Sequence, residues 1–204
     1  DLPNPVDAAI MVWEWGAYLG TDALELGADV KVASWSRMAP NTLPAMAKST
    51  ANYANSALIK MEALADGYSE GIALDVYGNV SEGSGQNLFI VRHNHIYTPP
   101  IGSSVLGGIT RDSVITIARE LGIEVVEKDL IRTDLYLADE VFMCGTAAEV
   151  TPVRSVDDQE IGVGDLTREI QRVYLDVAHG RTDRFVAWRE LVPVSASPAA
   201  LVTR

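Results

Sequence analysis

Cysteine is almost missing from this sequence. Cys144 stands alone among 204 residues, so no internal disulfide can form, and the composition fits a reducing compartment. Histidine is also scarce, and His93, His95 and His179 fall at no metal-ligand spacing. No catalytic metal is expected. Basic residues are outnumbered, 16 Lys and Arg against 28 Asp and Glu for a net charge of −12, and no local cluster of cations offsets them. A field of that sign repels a phosphate backbone, which sets nucleic acid aside as a partner. The longest apolar run, Ala8 to Trp13, is far below the roughly 20 residues that cross a bilayer, and no basic start with an apolar core marks a secretory signal. The expectation is a cytoplasmic protein with no membrane partner. An initiator methionine is lacking too: the chain opens AspLeuProAsnPro, as an interior linker would, which points to a processed or cut polypeptide.

What the chain does have is core material, with 48% hydrophobic residues, enough for one large domain. Ala8–Trp15 reads as a strand needing partners from outside this stretch. From Thr50 to Asp66, Ala54, Ala57, Leu58, Met61, Leu64 and Ala65 recur at helical spacing, with Gly67 as a stop. Asn87–Val91 and His95–Thr98 read as a hairpin that Pro99 and Pro100 end. A second helix is expected over Thr110–Leu121, with Val114, Ile117, Ala118 and Leu121 on one face and Gly122 after it. Strands are expected at Ile123–Glu127 and Glu140–Cys144, a third helix at Leu166–Ala178, and a tail rich in small residues from Pro193. Hairpins mixed with helices give an α+β, mixed α/β pattern and argue against strict Rossmann alternation.

The chemistry centres on Lys48, which falls just before the first of these helices. A lysine acts as a Schiff-base nucleophile when its amine is neutral part of the time, and a helix N-terminus is one setting that favours this. Thirty-four positions on, Glu82 sits in SerGluGlySerGlyGlnAsn; a carboxylate of this kind can keep a pyridine nitrogen protonated, or can be an ordinary turn acid. Tyr53 lies in the first helical turn, where its hydroxyl can meet a ring oxygen or simply pack. GlyGlyIleThrArgAsp at 107–112 places the N–H groups of Ile109 and Thr110 at a helix start, and GlyThrAlaAla at 145–148 offers Thr146 and Ala147 as an anion nest. Each element has a bland reading. Together they describe a site for an aldehyde cofactor that carries a phosphate. Cys144 reads as a small core residue, and Trp13 and Trp15 as packing or a pocket wall.

Seven segments in order, TrpGlyAlaTyrLeuGly (15–20), AlaLys…AsnTyr (47–53), GlyIleAlaLeuAsp (71–75), SerGluGlySerGlyGlnAsnLeuPhe (81–89), GlyIleThrArgAsp (108–112), LeuAlaAspGluValPhe (137–142) and GlyThrAlaAlaGluValThrProVal (145–153), resemble a branched-chain amino acid aminotransferase of the fold type IV, pyridoxal-phosphate-dependent class. The resemblance covers residues 8–192 and implies a large domain built as a pseudo-barrel of mixed strands surrounded by helices. It implies pyridoxal 5′-phosphate as cofactor, with Lys48 as the Schiff-base lysine, Glu82 at the pyridine nitrogen, Tyr53 at the ring oxygen, and Ile109, Thr110 and Thr146 at the phosphate. Trp15, Tyr18, Leu106, Thr146 and Ala147 would lie near the substrate. Leucine, isoleucine or valine would exchange their amino group with 2-oxoglutarate. D-amino-acid aminotransferases and aminodeoxychorismate lyases share the lysine and the glutamate and remain alternatives, as does a non-catalytic fragment. Gln86 stands where the family usually has Glu, outside the expected cofactor contacts. The same resemblance makes 1–15 the last strand of a small N-terminal domain, 16–27 a connecting loop, 28–192 the cofactor domain and 193–204 a tail. Its implied partners are amino acids, 2-oxo acids, the missing N-terminal segment and further copies in a homodimer or larger oligomer.

Overall fold

Nine strands and five α-helices account for half of residues 4–191, which are those described by the computed structural model. The tail expected over 193–204 lies outside the described residues. The strands are β1 (Ala28–Val32), β2 (Glu70–Leu74), β3 (Val80–Gly83), β4 (Asn87–Arg92), β5 (His95–Thr98), β6 (Val125–Glu127), β7 (Glu140–Gly145), β8 (Glu149–Val156) and β9 (Gln159–Glu160). The helices are α1 (Thr21–Leu26), α2 (Asn52–Ala65), α3 (Ile109–Glu120), α4 (Arg132–Tyr136) and α5 (Asp165–Ala178).

The strands pair in the order β3-β2-β1-β8-β7-β4-β5-β6, with β9 beside β8. Pairing is mixed: β1 runs parallel to β2 and β8, β5 runs parallel to β6, and the other pairs are antiparallel. β3 and β4 stand five places apart in this order, about 24 Å on a flat sheet at roughly 4.8 Å per strand. Only residues 84–86 join them, a reach of about 14 Å from one strand end to the next. The sheet must therefore curl into a half-barrel that brings edge strand β3 round to β4, and a 2.7 Å bond from Gly83 N–H to the Gln86 carbonyl closes the turn.

Both faces of the curled sheet are buried. Along β4, Leu88 and Ile90 join an inner cluster with Val30, Ile72, Val80 and Leu135, whereas Phe89 and Val91 join an outer cluster with Val114 and Ile117 of α3 and Ile170 and Val173 of α5. Strand β7 alternates the same way, with Val141 and Met143 inside and Phe142 and Cys144 outside. Phe89 and Phe142, opposite each other in register, stack with centroids 4.9 Å apart.

The hairpin β4–β5 and the helices α2, α3 and α5 fall where periodicity places them. His93 and Asn94, both at positive φ, make the two-residue turn that matches strand twist. Three expectations change. The strand expected over Ala8–Trp15 is not formed: those residues carry no regular structure, and Ile10, Met11, Val12 and Trp13 are exposed, since no described strand lies alongside to complete a ladder. The stretch 16–27, expected as a loop, contains α1. In α2 the periodic apolar positions Leu58, Met61 and Leu64 are exposed, and the face against the sheet is Asn52, Ser56, Ile59 and Ala63. Ile59 lies over Gly71 of β2 so closely that a Cβ there would come within 2.7 Å of its Cγ2. Close approach of helix and strand, not hydrophobicity, selects that face.

Candidate active site

The open seam of the half-barrel, where β3 turns into β4, faces the loop before α2 and the start of α3. Between them lies a cavity of about 300 Å³ lined by Lys48, Tyr53, Glu82, Leu106, Ile109, Thr110 and Thr146 among others. Residues expected at one site, drawn from distant parts of the sequence, thus meet at one cavity. Trp15 and Ala147 are not among its lining residues; Trp15 instead stands against Trp13 with ring centroids 5.3 Å apart. Tyr18 is likewise outside the lining, with Lys60 Nζ 5.2 Å from its ring centroid, and burial followed by the Glu70 charge raises its phenol above the ordinary value.

Glu82, next to last in β3, is nearly fully buried. Its Oε1 accepts from Arg37 Nη2 at 2.7 Å, and its Oε2 accepts from Asn87 Nδ2 and from the Leu106 N–H, each at 3.0 Å. Burial pushes the carboxyl up to about 7, while the Arg37 charge and the Leu106 N–H pull it down. The desolvation of a charged group in this wall outweighs the ion pair, leaving an acid poised to ionise when a cation arrives beside it. Asn87 also donates to the Leu106 carbonyl at 2.9 Å, tying β4 to the loop that precedes α3. That loop passes so near that a Cβ on Gly108 would come within 2.3 Å of Asn87 Oδ1. Only glycine fits this close approach.

Helix α3 begins at Ile109 with Gly108 as its cap and no side chain bonded to its first N–H groups. The Ile109 side chain is exposed and Thr110 buried, so the uncapped end meets the cavity as a set of free donors. Thr146 lies across from it, at the exposed turn between β7 and β8. Lys48 is exposed at the rim, three residues before the α2 cap Ala51, and among the described residues it makes no ion pair or side-chain hydrogen bond. Cys144 lies under the cavity wall, where burial pushes its thiol up and leaves it unreactive.

Several lining residues had no signal in sequence. Arg37 belongs to a loop held along β2 by Ala33 N–H to the Ile72 carbonyl and Arg37 N–H to the Leu74 carbonyl, both 2.8 Å; nothing in TrpSerArgMetAlaPro marks it as buried. Asn52, buried at the start of α2, also lines the cavity. Gln86, expected away from the site, lines the cavity and donates to the fully buried Glu70 at 2.9 Å, which also pairs with Lys60 at 3.0 Å. No group of three or more His, Cys, Asp or Glu with metal-binding geometry occurs among the described residues, and none of their helices is long and apolar enough to cross a membrane.

A half-barrel with a lysine, a buried carboxylate and a helix N-terminus on one cavity defines a class, and the comparisons specify it. The profile of the amino-transferase class IV family matches residues 5–156. The chain belongs to that family. It is 53% identical over 189 residues to the branched-chain-amino-acid aminotransferase of Escherichia coli K12, covering 91% of this chain and 61% of that protein. The crystal structure of the Escherichia coli branched-chain amino acid aminotransferase superposes with a TM-score of 0.84 at 54% identity, covering 86% of this chain and 59% of that one. The branched-chain amino acid aminotransferase of Thermobaculum terrenum, in its PLP-bound holo-form, is 44% identical with a TM-score of 0.77, covering 79% of this chain and 54% of that one. The chain thus spans about 61% of the length of its curated relative.

Proposed function

We propose that this chain carries the cofactor site of a pyridoxal-phosphate-dependent branched-chain aminotransferase, moving the amino group of L-leucine, L-isoleucine or L-valine to 2-oxoglutarate. The observation that carries this reading is the single cavity on which Lys48, Tyr53, Glu82, Ile109, Thr110 and Thr146 converge, in a fold shared with the relatives above. The residues present fit pyridoxal 5′-phosphate: an amine at the rim for the aldehyde, a buried carboxyl for the ring nitrogen, and free N–H and hydroxyl donors for the phosphate. Once bound, the cofactor supplies an electron sink for the carbanion left when the substrate α-proton is removed.

Lys48 is the residue that would hold the cofactor through its aldehyde, and its amine, when free and neutral, would serve as the base that moves the substrate α-proton. Glu82 keeps the ring nitrogen protonated, since a pyridinium beside its buried carboxyl favours the ionised carboxylate. Arg37 and Asn87 hold that carboxylate in place. Tyr53 would meet the ring oxygen with its hydroxyl, and Ile109, Thr110 and Thr146 would hold the phosphate. Leu106 and Thr146 on the cavity wall, and Tyr18, Trp15 and Ala147 outside its lining, are assigned to the substrate side in this reading. In this reading residues from 28 onward form the cofactor domain, 16–27 connect it to a small domain of the whole protein, and the assembly is a cytoplasmic homo-oligomer.

The test is the visible difference spectrum of the chain with added pyridoxal 5′-phosphate against the cofactor alone, each before and after L-leucine. A yellow band that L-leucine converts to the aminated-cofactor band is expected, and Lys48→Ala should abolish it. A band that ignores L-leucine and answers D-alanine would move the assignment to a D-specific transferase; absence of any band would make the chain a non-catalytic module.

A further inference from the structure

The Lys48 side chain has four rotatable carbon–carbon bonds, so where its amine arrives depends on how firmly its backbone is anchored. Ordinary secondary structure does not anchor it, because Lys48 lies in a loop that precedes the α2 cap. A side chain does so instead. Asn52, buried in the first turn of α2, donates through Nδ2 to two backbone carbonyls of that loop, Pro44 at 3.0 Å and Ala47 at 2.9 Å. The Ala47 carbonyl belongs to the same planar peptide as the Lys48 nitrogen. Holding that oxygen therefore sets the plane from which the Lys48 side chain departs.

Backbone bonds complete the clamp. Ala47 N–H reaches the Pro44 carbonyl at 3.0 Å, Ser49 N–H the Ala47 carbonyl at 2.8 Å, and Asn52 N–H the Ser49 carbonyl at 3.0 Å. The Ala47 oxygen thus receives one backbone and one side-chain donor. The amide oxygen of Asn52 is buried with no partner among the described residues, so it is the nitrogen side of this amide that the loop uses. An aspartate of the same shape has no hydrogens to give and would set its oxygens against both carbonyls.

We propose that Asn52 is a positioning residue that fixes the entry of the Lys48 amine into the cavity by clamping the 44–47 turn onto α2. This rests on Lys48 being the aldehyde-binding lysine. The covalent step used to test it is simple: Nζ of neutral Lys48 adds to the aldehyde carbon of pyridoxal 5′-phosphate, the aldehyde oxygen leaves as water, and added borohydride delivers hydride to the resulting C=N bond. Peptide mass spectrometry then counts pyridoxyl groups on Lys48 against time.

Asn52→Asp and Asn52→Ala are compared with wild type. The Asp variant keeps the shape of the side chain while removing both donors, and the Ala variant removes them without adding a charge. Both are expected to label Lys48 about ten-fold more slowly, the scale of one lost hydrogen bond in a positioning contact. Hydrogen exchange should quicken at the Ala47 and Ser49 amides and stay unchanged in β4 and β7. Labelling of Lys48 at the wild-type rate in both variants, or exchange that is unaltered at Ala47 and Ser49, would overturn the role of Asn52 alone. A wild-type chain that takes no pyridoxyl group on Lys48 would overturn the functional reading and this inference with it.

Discussion

Glu82 concentrates the electrostatics of the site in one residue. Its carboxyl is pushed from 4.5 to about 7 by burial, so between those values the folded chain keeps a proton that the unfolded chain has lost. Stability then falls as pH rises: the contribution is complete below about 4.5 and gone above about 7. Glu82→Gln removes this titration while keeping the shape. Urea unfolding at about pH 5 and about pH 8 is expected to show wild type losing roughly 2–3 kcal/mol more than the variant across that interval. Equal losses in the two proteins would mean that Arg37 and Asn87 hold the carboxylate ionised throughout. Lys48 and Glu82 were both legible as candidates because a lysine before a helix and an acid just before GlySerGly are local patterns. Arg37 and Asn87, which determine how the acid behaves, were not, since their partners lie 45 and 5 positions from them and meet only in the curled sheet.

Among the elements, the turn between β3 and β4 depends on a chain of contacts that begins on α2. Lys60 on α2 pairs with Glu70 on β2, and Glu70 accepts from Gln86, whose Oε1 in turn accepts the Gly85 N–H at 3.1 Å. Ser84, Gly85 and Gln86 all line the cavity, so this network shapes its wall. Gln86→Glu would set a second carboxyl 2.9 Å from the first, facing Lys60 and, nearby, the Tyr18 phenol. Two such groups cannot both ionise in a buried site, so the pair keeps a proton to higher pH than an exposed carboxyl does. The variant should fold and then lose about 1–3 kcal/mol relative to wild type as pH rises through neutrality, measured by thermal unfolding across pH. A constant difference at every pH would show that the substitution acts through shape alone. Strands β2 and β3 escaped sequence reading because of this same network: they hold Glu70, Ser81 and Glu82 fully or nearly buried, and polar residues in a strand suggest a loop. β8, carrying Pro152, escaped because proline argues against an interior strand, yet it pairs with β1 and β7.

At the scale of the whole molecule, the cavity lacks charge for the group it is proposed to hold. Its cationic lining residues are Arg37, paired with Glu82, and Lys48, assigned to the aldehyde, which leaves neutral donors for a phosphate of charge about −2. The 204-residue chain by itself is therefore expected to bind pyridoxal 5′-phosphate weakly and to lose it on dialysis, with little turnover of L-leucine. Retention of the yellow band through dialysis would show that the α3 N-terminus and Thr146 suffice. The sequence by itself determined the helices α3 and α5, the β4–β5 hairpin and the residues with cofactor chemistry, because periodicity, turn residues and short motifs act over a few positions. Only the tertiary structure decided which face of α2 is buried, that β3 closes on β4, and that Arg37, Asn52, Gln86 and Asn87 surround the lysine and the acid. Those outcomes come from strand pairing and close packing between distant segments, whose energies overrule local preference and leave no local trace.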